Sequence, residues 1–268
     1  MPLPSPLEAL RQRNPHLFSR PNFWRTRLDD IKEIAEEKNT AYPATLLGQS
    51  AGGRPIYAFL PSSLKRSLST ATISSAMASD RPESFYDPAA RNRSTLVLIG
   101  SIHGGETEGI ALVMNVIQLL RSGRDFLSEE HDDLCKLIEK VRLILIPCLN
   151  PDGRAAAAVD HLNGAELEDL YLVQQGLQAD GSLFQGRRVK ELQPIPPGHL
   201  RFQGGYYNAK GVNLQHDDFF GAKISPENAA IRDLFQREIP DAFLTCHAHG
   251  AAAAFLGPDS FLSPGMQR

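Results

Sequence analysis

Three stretches of this chain are apolar without a break and too short to be helices: "STLVLIG" (94–100), "VRLILIP" (141–147) and "AFLTC" (242–246). A strand that alternates polar and apolar residues can leave one face in water. A strand without alternation has to be covered on both faces, the situation of central strands in sheets flanked by helices. Between these runs lie helical patterns. Thr107–Leu120 is amphipathic, "LCKLIEK" ends another helix, and "SPENAAIRDLFQREIP" begins with Ser225 as N-cap and Pro226 in its first turn. Strands alternating with helices predict an α/β fold, with a mixed, largely parallel central sheet flanked by helices.

The remainder organises around that frame. With 268 residues, 42% apolar and 22% charged, the chain can bury one sizeable core. Residues 1–22, rich in Pro and Arg, read as a loosely structured lead-in, and 23–268 as one domain. "FWRTRLDDIKEIAEEKN" has helical spacing, and "ATLLGQSAGGRPIYAFLPS" reads as two short strands around the turn Ser50–Arg54. Residues 61–93 and 154–205 read as insertions, the first an irregular surface segment, the second elaborating an edge or covering a site. A net charge of −3 with dispersed arginines provides no footprint for nucleic acid or for an anionic membrane surface. With no secretory apolar segment at the N-terminus and no run of bilayer length, the expected location is the cytoplasm. Cys135, Cys148 and Cys246 are then reduced thiols, and the latter two read as small buried hydrophobes.

Each apolar run ends in polar residues capable of chemistry: His103 and Glu106 after the first, Asn150-Pro151-Asp152-Gly153 after the second, His247 and His249 after the third. In open α/β sheets, ligands bind beyond the carboxyl ends of the strands. An isolated H-x-x-E is weak, because a histidine after a strand is more often a hydrogen-bonded turn residue. Gly104 and Gly105 change that expectation by letting the backbone bend so that both side chains point at one centre. An imidazole nitrogen and a carboxylate oxygen are both suitable Zn²⁺ ligands, and a distant third ligand completes a catalytic set. His247, directly after its strand, is the candidate. His249 reads as substrate-facing or as a support for the ligands. "NPDG" reads as a turn closed by Asn150 or Asp152. Glu108 reads as a first-turn helix residue favoured by the dipole.

In order, "LLGQSAGGRPIYAF", "IGSIHGGETEG", "LIPCLNPDGR", "YYNAKGVNLQHDDF" and "FLTCHAHG" resemble the M14 family of zinc carboxypeptidases. Bacterial cytoplasmic members acting on peptidoglycan-derived peptides are the most similar. The resemblance spans residues 25–60 and 94–257. It implies a carboxypeptidase-like fold and one Zn²⁺ per chain, held by His103, Glu106 and His247. It also implies hydrolysis of a peptide or amide bond in a peptide or acyl-amino-acid substrate, in a pocket lined by Gln215, His216, Tyr206, Tyr207 and His249. Three departures qualify it. Where the family commonly reads G-V-D-L-N-R-N-F, this chain has Gly211-Val212-Asn213-Leu214-Gln215-His216-Asp217-Asp218. The family's Asn-Arg pair grips a terminal carboxylate, and His216 cannot reproduce the bidentate fork of an arginine. Positions 205–208 also lack the arginine that the family often places there, so an amide, an ester or an unusual acyl group becomes a more plausible handle. The family's general base is a glutamate on a later strand. The residues after His247, "AHGAAAAFLGPDSFLSPGMQR", contain none, with Asp259 the sole carboxylate. No catalytic base is therefore assigned, and the expectation is a C-terminally incomplete chain. The alternatives are a base-less, metal- or peptide-binding relative, or an N-acyl amino acid deacylase of the aspartoacylase and desuccinylase type, whose H-G-x-E-x-x-G "HGGETEG" also resembles.

Overall fold

The computed structural model describes residues 5–39, 41–65, 67–85, 87, 93–184, 194–196, 198–217 and 223–248. In chain order its elements begin with α1 (Pro6–Arg13), α2 (Leu28–Glu36), β1 (Ala44–Gln49), β2 (Pro55–Phe59) and α3 (Ile73–Ala78). They continue with β3 (Ser94–Ile99), α4 (Thr107–Ser122), α5 (Asp132–Ile138), β4 (Val141–Ile146), α6 (Pro151–Ala156) and α7 (Leu167–Gln175). The last are β5 (Gly176–Gln178), β6 (Leu200–Gln203), α8 (Pro226–Glu238) and β7 (Ala242–Thr245). Among the described residues, no helix is long and apolar enough to cross a membrane.

The main sheet has the order β1-β2-β4-β3-β7. β2 is antiparallel to both its neighbours, whereas β4, β3 and β7 pair in parallel. All strands except β2 therefore run the same way, and the sheet is mixed. Both faces are covered, as the uninterrupted apolar runs require. Leu143 and Leu145 of β4 join Ile31, Ile34, Ile110, Met114 and Ile117 from α2 and α4. Ile144 and Ile146 join Val97, Ile99, Ile56 and Leu234 on the other face, under α8. Each such side chain contributes about 1.5–3 kcal/mol by leaving water. In a strand apolar on both faces, a one-residue slip changes little burial. A polar contact distinguishes the registers here: Arg142 of β4 is buried and clasps Glu238 of α8 through Nε at 2.7 Å and Nη2 at 3.1 Å.

Register also aligns the strand ends. Ile99 pairs with Ile146 on one side and with Thr245 on the other. The segments after β3, β4 and β7 therefore leave the sheet from one row, which brings residues far apart in sequence to the same edge.

Three expectations need correction. Residues 1–22, read as loose, carry α1, where Ser5 and Glu8 form a reciprocal capping box. Leu10 and Leu17 pack with Ala157, Val159, Leu172 and Val173 in a satellite core under α7. The proline at its first turn favours that helix, a local signal that the low apolar content masked. "NPDG" is closed by Asn150, one of the two residues expected to do so, which accepts the Gly153 N–H at 2.9 Å and caps α6. Finally, β7 is not buried. It lies at the sheet edge among the described strands, with Phe243 55% and Leu244 56% exposed. Within the segment read as irregular, Ile73–Ala78 form α3, and Asp241 pins its approach by accepting from the Ala71 N–H at 2.9 Å.

Candidate metal centre

His103, Glu106 and His247 converge: one ligand atom from each lies within 4.8 Å of the others. His103 Nδ1 is 2.9 Å from Glu106 Oε1, and His247 Nδ1 is 3.0 Å from Glu106 Oε2. His103 and Glu106 are buried, while His247 is exposed and faces the solvent side of the site.

The loop between β3 and α4 is set by close approach, not by an unusual backbone. Neither Gly104 nor Gly105 has positive φ. A Cβ on Gly104 would fall 1.9 Å from the backbone nitrogen of Arg154, inside the first turns of α6. Farther along, a Cβ on Gly109 would fall 1.9 Å from the carbonyl oxygen of Gly100, so α4 can lie directly against the end of β3. The tight bend expected here is present, closed by the Glu106 N–H donating to the His103 carbonyl at 3.0 Å, and a second requirement joins it: two backbones have to touch. The Gly104 N–H donates to the Gly205 carbonyl at 2.7 Å, and the buried Arg154 guanidinium donates to the carbonyls of Thr26, Gly104 and Ala157. Burial lowers the pKa of that guanidinium to about 10, which leaves it cationic at neutral pH.

The donor set fits a divalent cation. His103 Nε2 lies 3.2 Å from Asn213 Oδ1, and that oxygen also accepts the Gln215 backbone N–H at 3.1 Å, which fixes it as the carbonyl side of the amide. Both ring nitrogens of His103 therefore face acceptors. A neutral imidazole has one N–H and cannot serve two. With Nε2–H donated to Asn213, Nδ1 offers a lone pair toward Glu106 and His247, where a cation resolves the conflict. This is the orienting partner that metal-ligating histidines generally have, here an amide. For His247 the second nitrogen is 3.4 Å from Thr245 Oγ1. Burial raises the Glu106 carboxyl, but the hydrogen bonds and charges of His103 and His247 outweigh it and hold the group below the usual carboxylate range. The centre thus keeps an anion between two imidazoles, as two nitrogen ligands and one oxygen ligand of Zn²⁺ would require.

Of the other residues expected at the site, Tyr206 stacks on His103 with ring centroids 4.1 Å apart. Burial and the charge of Glu106 push its phenol up to about 12, so it carries its proton at neutral pH. Tyr207 is fully buried beside Phe184 and Ile195, away from solvent. Gln215 (exposed) and His216 (half-buried) follow Asn213 in a short 3-10 helix, Leu214–His216. His249 and Asp259 lie outside the described residues. Asn213 and Arg154 had been given no role. Asn213 occupies the aspartate position of the family pattern, which was the available signal. Arg154 had none, because a guanidinium that serves only backbone carbonyls leaves no partner in the sequence.

The sequence profile of the zinc carboxypeptidase (peptidase M14) family matches residues 28–173. No curated protein matches the chain. Among solved structures, a metallo-carboxypeptidase from Burkholderia cenocepacia is 17% identical at a TM-score of 0.42, covering 82% of this chain and 39% of its own. The carboxypeptidase A of Helicoverpa armigera is 17% identical at 0.45, covering 91% and 53%. A murein-tripeptide amidase from Escherichia coli O157 is 17% identical at 0.30, covering 78% and 62%. The chain spans less than two thirds of the length of each of these proteins. The profile covers more than half of this chain and ends beyond both His103 and Glu106, and on that match the chain belongs to the zinc carboxypeptidase family.

Proposed function

We propose that this protein is a zinc-dependent hydrolase of peptide or amide bonds. The observation that supports this most is the convergence of His103, Glu106 and His247 at the ends of separate parallel strands, with Asn213 holding the first of them. Bound there, Zn²⁺ supplies Lewis-acid polarisation of a carbonyl and an acidified water. The chain's own residues do the rest. Asn213 fixes the tautomer of His103, Glu106 holds the negative charge between the imidazoles, and Tyr206 offers a protonated phenol and a flat wall beside the centre. The family match favours the peptidase reading over an N-acyl amino acid deacylase.

A second reading, a relative that binds peptide and metal without turnover, is favoured by Gln215 and His216 standing where the family places its carboxylate-gripping pair. The same observation makes peptide amides and acyl-peptides better candidates than free C-terminal carboxylates.

Metal analysis of the purified chain is expected to give Zn²⁺ near one per chain. His103→Ala and His247→Ala should each abolish that uptake, and with it any hydrolysis of peptide amides. Stoichiometric zinc with no turnover on free, amidated or acylated peptides selects the second reading. Zinc bound undiminished by the His103→Ala chain overturns both.

A further inference from the structure

A hollow of about 420 Å³ lies between α1, the start of α2 and the end of α6, and none of the residues converging at the metal centre lines it. Its lining includes Arg11, Arg27, Leu28, Asp29, Arg154 and Asp160. Three guanidiniums meet there, and each keeps donors in reserve. Arg154 is only 4% exposed. Its Nε donates to the Thr26 carbonyl, its Nη1 to those of Gly104 and Ala157, and its Nη2 to that of Val159. A guanidinium carries five N–H groups, so one on Nη2 has no acceptor among the described residues. None of these partners is a carboxylate. The carbonyls solvate the buried charge without neutralising it, and an uncompensated buried charge is costly.

The two carboxylates of the lining do not meet this demand. Asp160 is taken by Arg27, whose Nε and Nη2 donate to it at 2.7 and 2.6 Å, and it also lies 3.8 Å from Arg20. Arg27 Nη1 is left without an acceptor among the described residues. Arg11 lays its guanidinium 4.2 Å over the Phe18 ring and makes no hydrogen bond among the described residues. Asp29 is exposed, in the first turn of α2, where a carboxylate answers the helix dipole. The backbone adds donors of its own. Leu28 and Asp29 open α2, and their N–H groups have no acceptor among the described residues. Such unspent N–H groups, with the dipole behind them, favour an anion. Helix end and buried guanidinium are independent features, and both line the same hollow.

We propose that this hollow binds a phosphoryl group, as free phosphate or as a phosphate monoester, on the unspent N–H groups of Arg11, Arg27, Arg154 and the α2 N-terminus. A carboxylate is planar and is satisfied by one guanidinium fork. A phosphoryl group presents three oxygens in different directions, which suits donors arriving from α1, α2 and α6. The volume is in the range of small-molecule sites and leaves room for the group that an ester carries. Asp29 stands at the mouth as a like charge and weakens the site. The proposal concerns a second site and does not rest on the hydrolase reading.

The test is calorimetric titration of the full chain, zinc-free and zinc-loaded, with inorganic phosphate, phenyl phosphate and succinate. The zinc-free chain should bind one phosphate with a Kd of about 1 mM or tighter. Arg11→Gln should weaken binding about fivefold, and Asp29→Asn should tighten it about threefold, both with unchanged circular dichroism. Structural damage would not move the two variants in opposite directions. Phenyl phosphate bound more tightly than phosphate identifies an ester as the ligand, and the reverse order identifies the free ion; either supports the site. No phosphate bound at tens of millimolar, or a Kd that neither variant moves, overturns it. Succinate bound as tightly as phosphate overturns the phosphoryl assignment. Phosphate bound only by the zinc-loaded chain, and lost in His103→Ala, belongs to the metal centre and overturns the hollow as its site.

Discussion

Asn213 is the residue on which the chemistry of His103 turns. Its side-chain oxygen is held by the Gln215 N–H and faces His103 Nε2. Removing it frees the imidazole to adopt the other tautomer. Asn213→Ala should weaken zinc affinity by about 10–100-fold, the usual scale for a lost orienting partner. Asn213→Asp, which restores a carboxylate, should bind at least as tightly as the natural chain. Competition against a chromogenic chelator measures both, and an Asn213→Ala chain with unaltered affinity would remove the orienting role. His103, Glu106 and His247 were legible in the sequence because each stands in the segment that follows an apolar run. Asn213 was not, since its partner lies 110 positions away in sequence. Gly104 was legible as part of a bend, but only the packed structure shows that the α6 backbone occupies the space a side chain would need.

At the scale of elements, the apolar runs of β3 and β4 behaved as read, with one face against α2 and α4 and the other under α8. The run of β7 did not. Its apolar residues match a central strand, yet Phe243 and Leu244 are both more than half exposed, because no strand lies beyond it among the described residues. Hydrophobicity reports that a strand can be buried, and the sheet order decides whether it is. The contrast can be measured by urea unfolding. Leu145→Ala, at the sheet centre, should cost about 2–5 kcal/mol. Leu244→Lys should change stability by no more than about 0.5 kcal/mol while improving solubility, since a charged side chain blunts an exposed edge. A loss at Leu244 as large as at Leu145 would show that β7 is covered in solution. The capped α1 was missed because it is short and half polar, and its stability comes from packing on α7.

Across the whole molecule, Asp152 ties together three distant segments. It accepts from Ser50 Oγ at 2.7 Å, the Gly52 N–H at 2.8 Å, Arg54 Nη1 at 2.8 Å and the Ala209 N–H at 3.0 Å. Burial works against its charge, but these donors outweigh it and hold the carboxyl below the usual aspartate range. Because the folded-state value lies below the unfolded one, the unfolded chain takes up the proton first as pH falls. The stabilisation is therefore complete above about pH 4 and is lost as pH drops through the folded-state value. Asp152→Asn should cost about 2–4 kcal/mol at neutral pH. It should also flatten the dependence of stability on pH in the acid range, as read by denaturant unfolding from about pH 3 to 6. An unchanged acid slope would place the acid sensitivity elsewhere, with Asp30 and its arginine partners the next candidate.

By itself, the sequence determined the class of fold and singled out His103, Glu106 and His247, which the structure brings together. Both follow from local pattern: apolar runs alternating with helices call for a helix-flanked sheet, and polar residues at the ends of parallel strands share an edge. Only the tertiary structure decided that Tyr206, and not Tyr207, stands at the centre, that Asn213 and Arg154 support it, and that Arg11, Arg27 and Arg154 line one hollow. Those outcomes depend on which backbones pack against one another across long separations, and local periodicity carries no record of that.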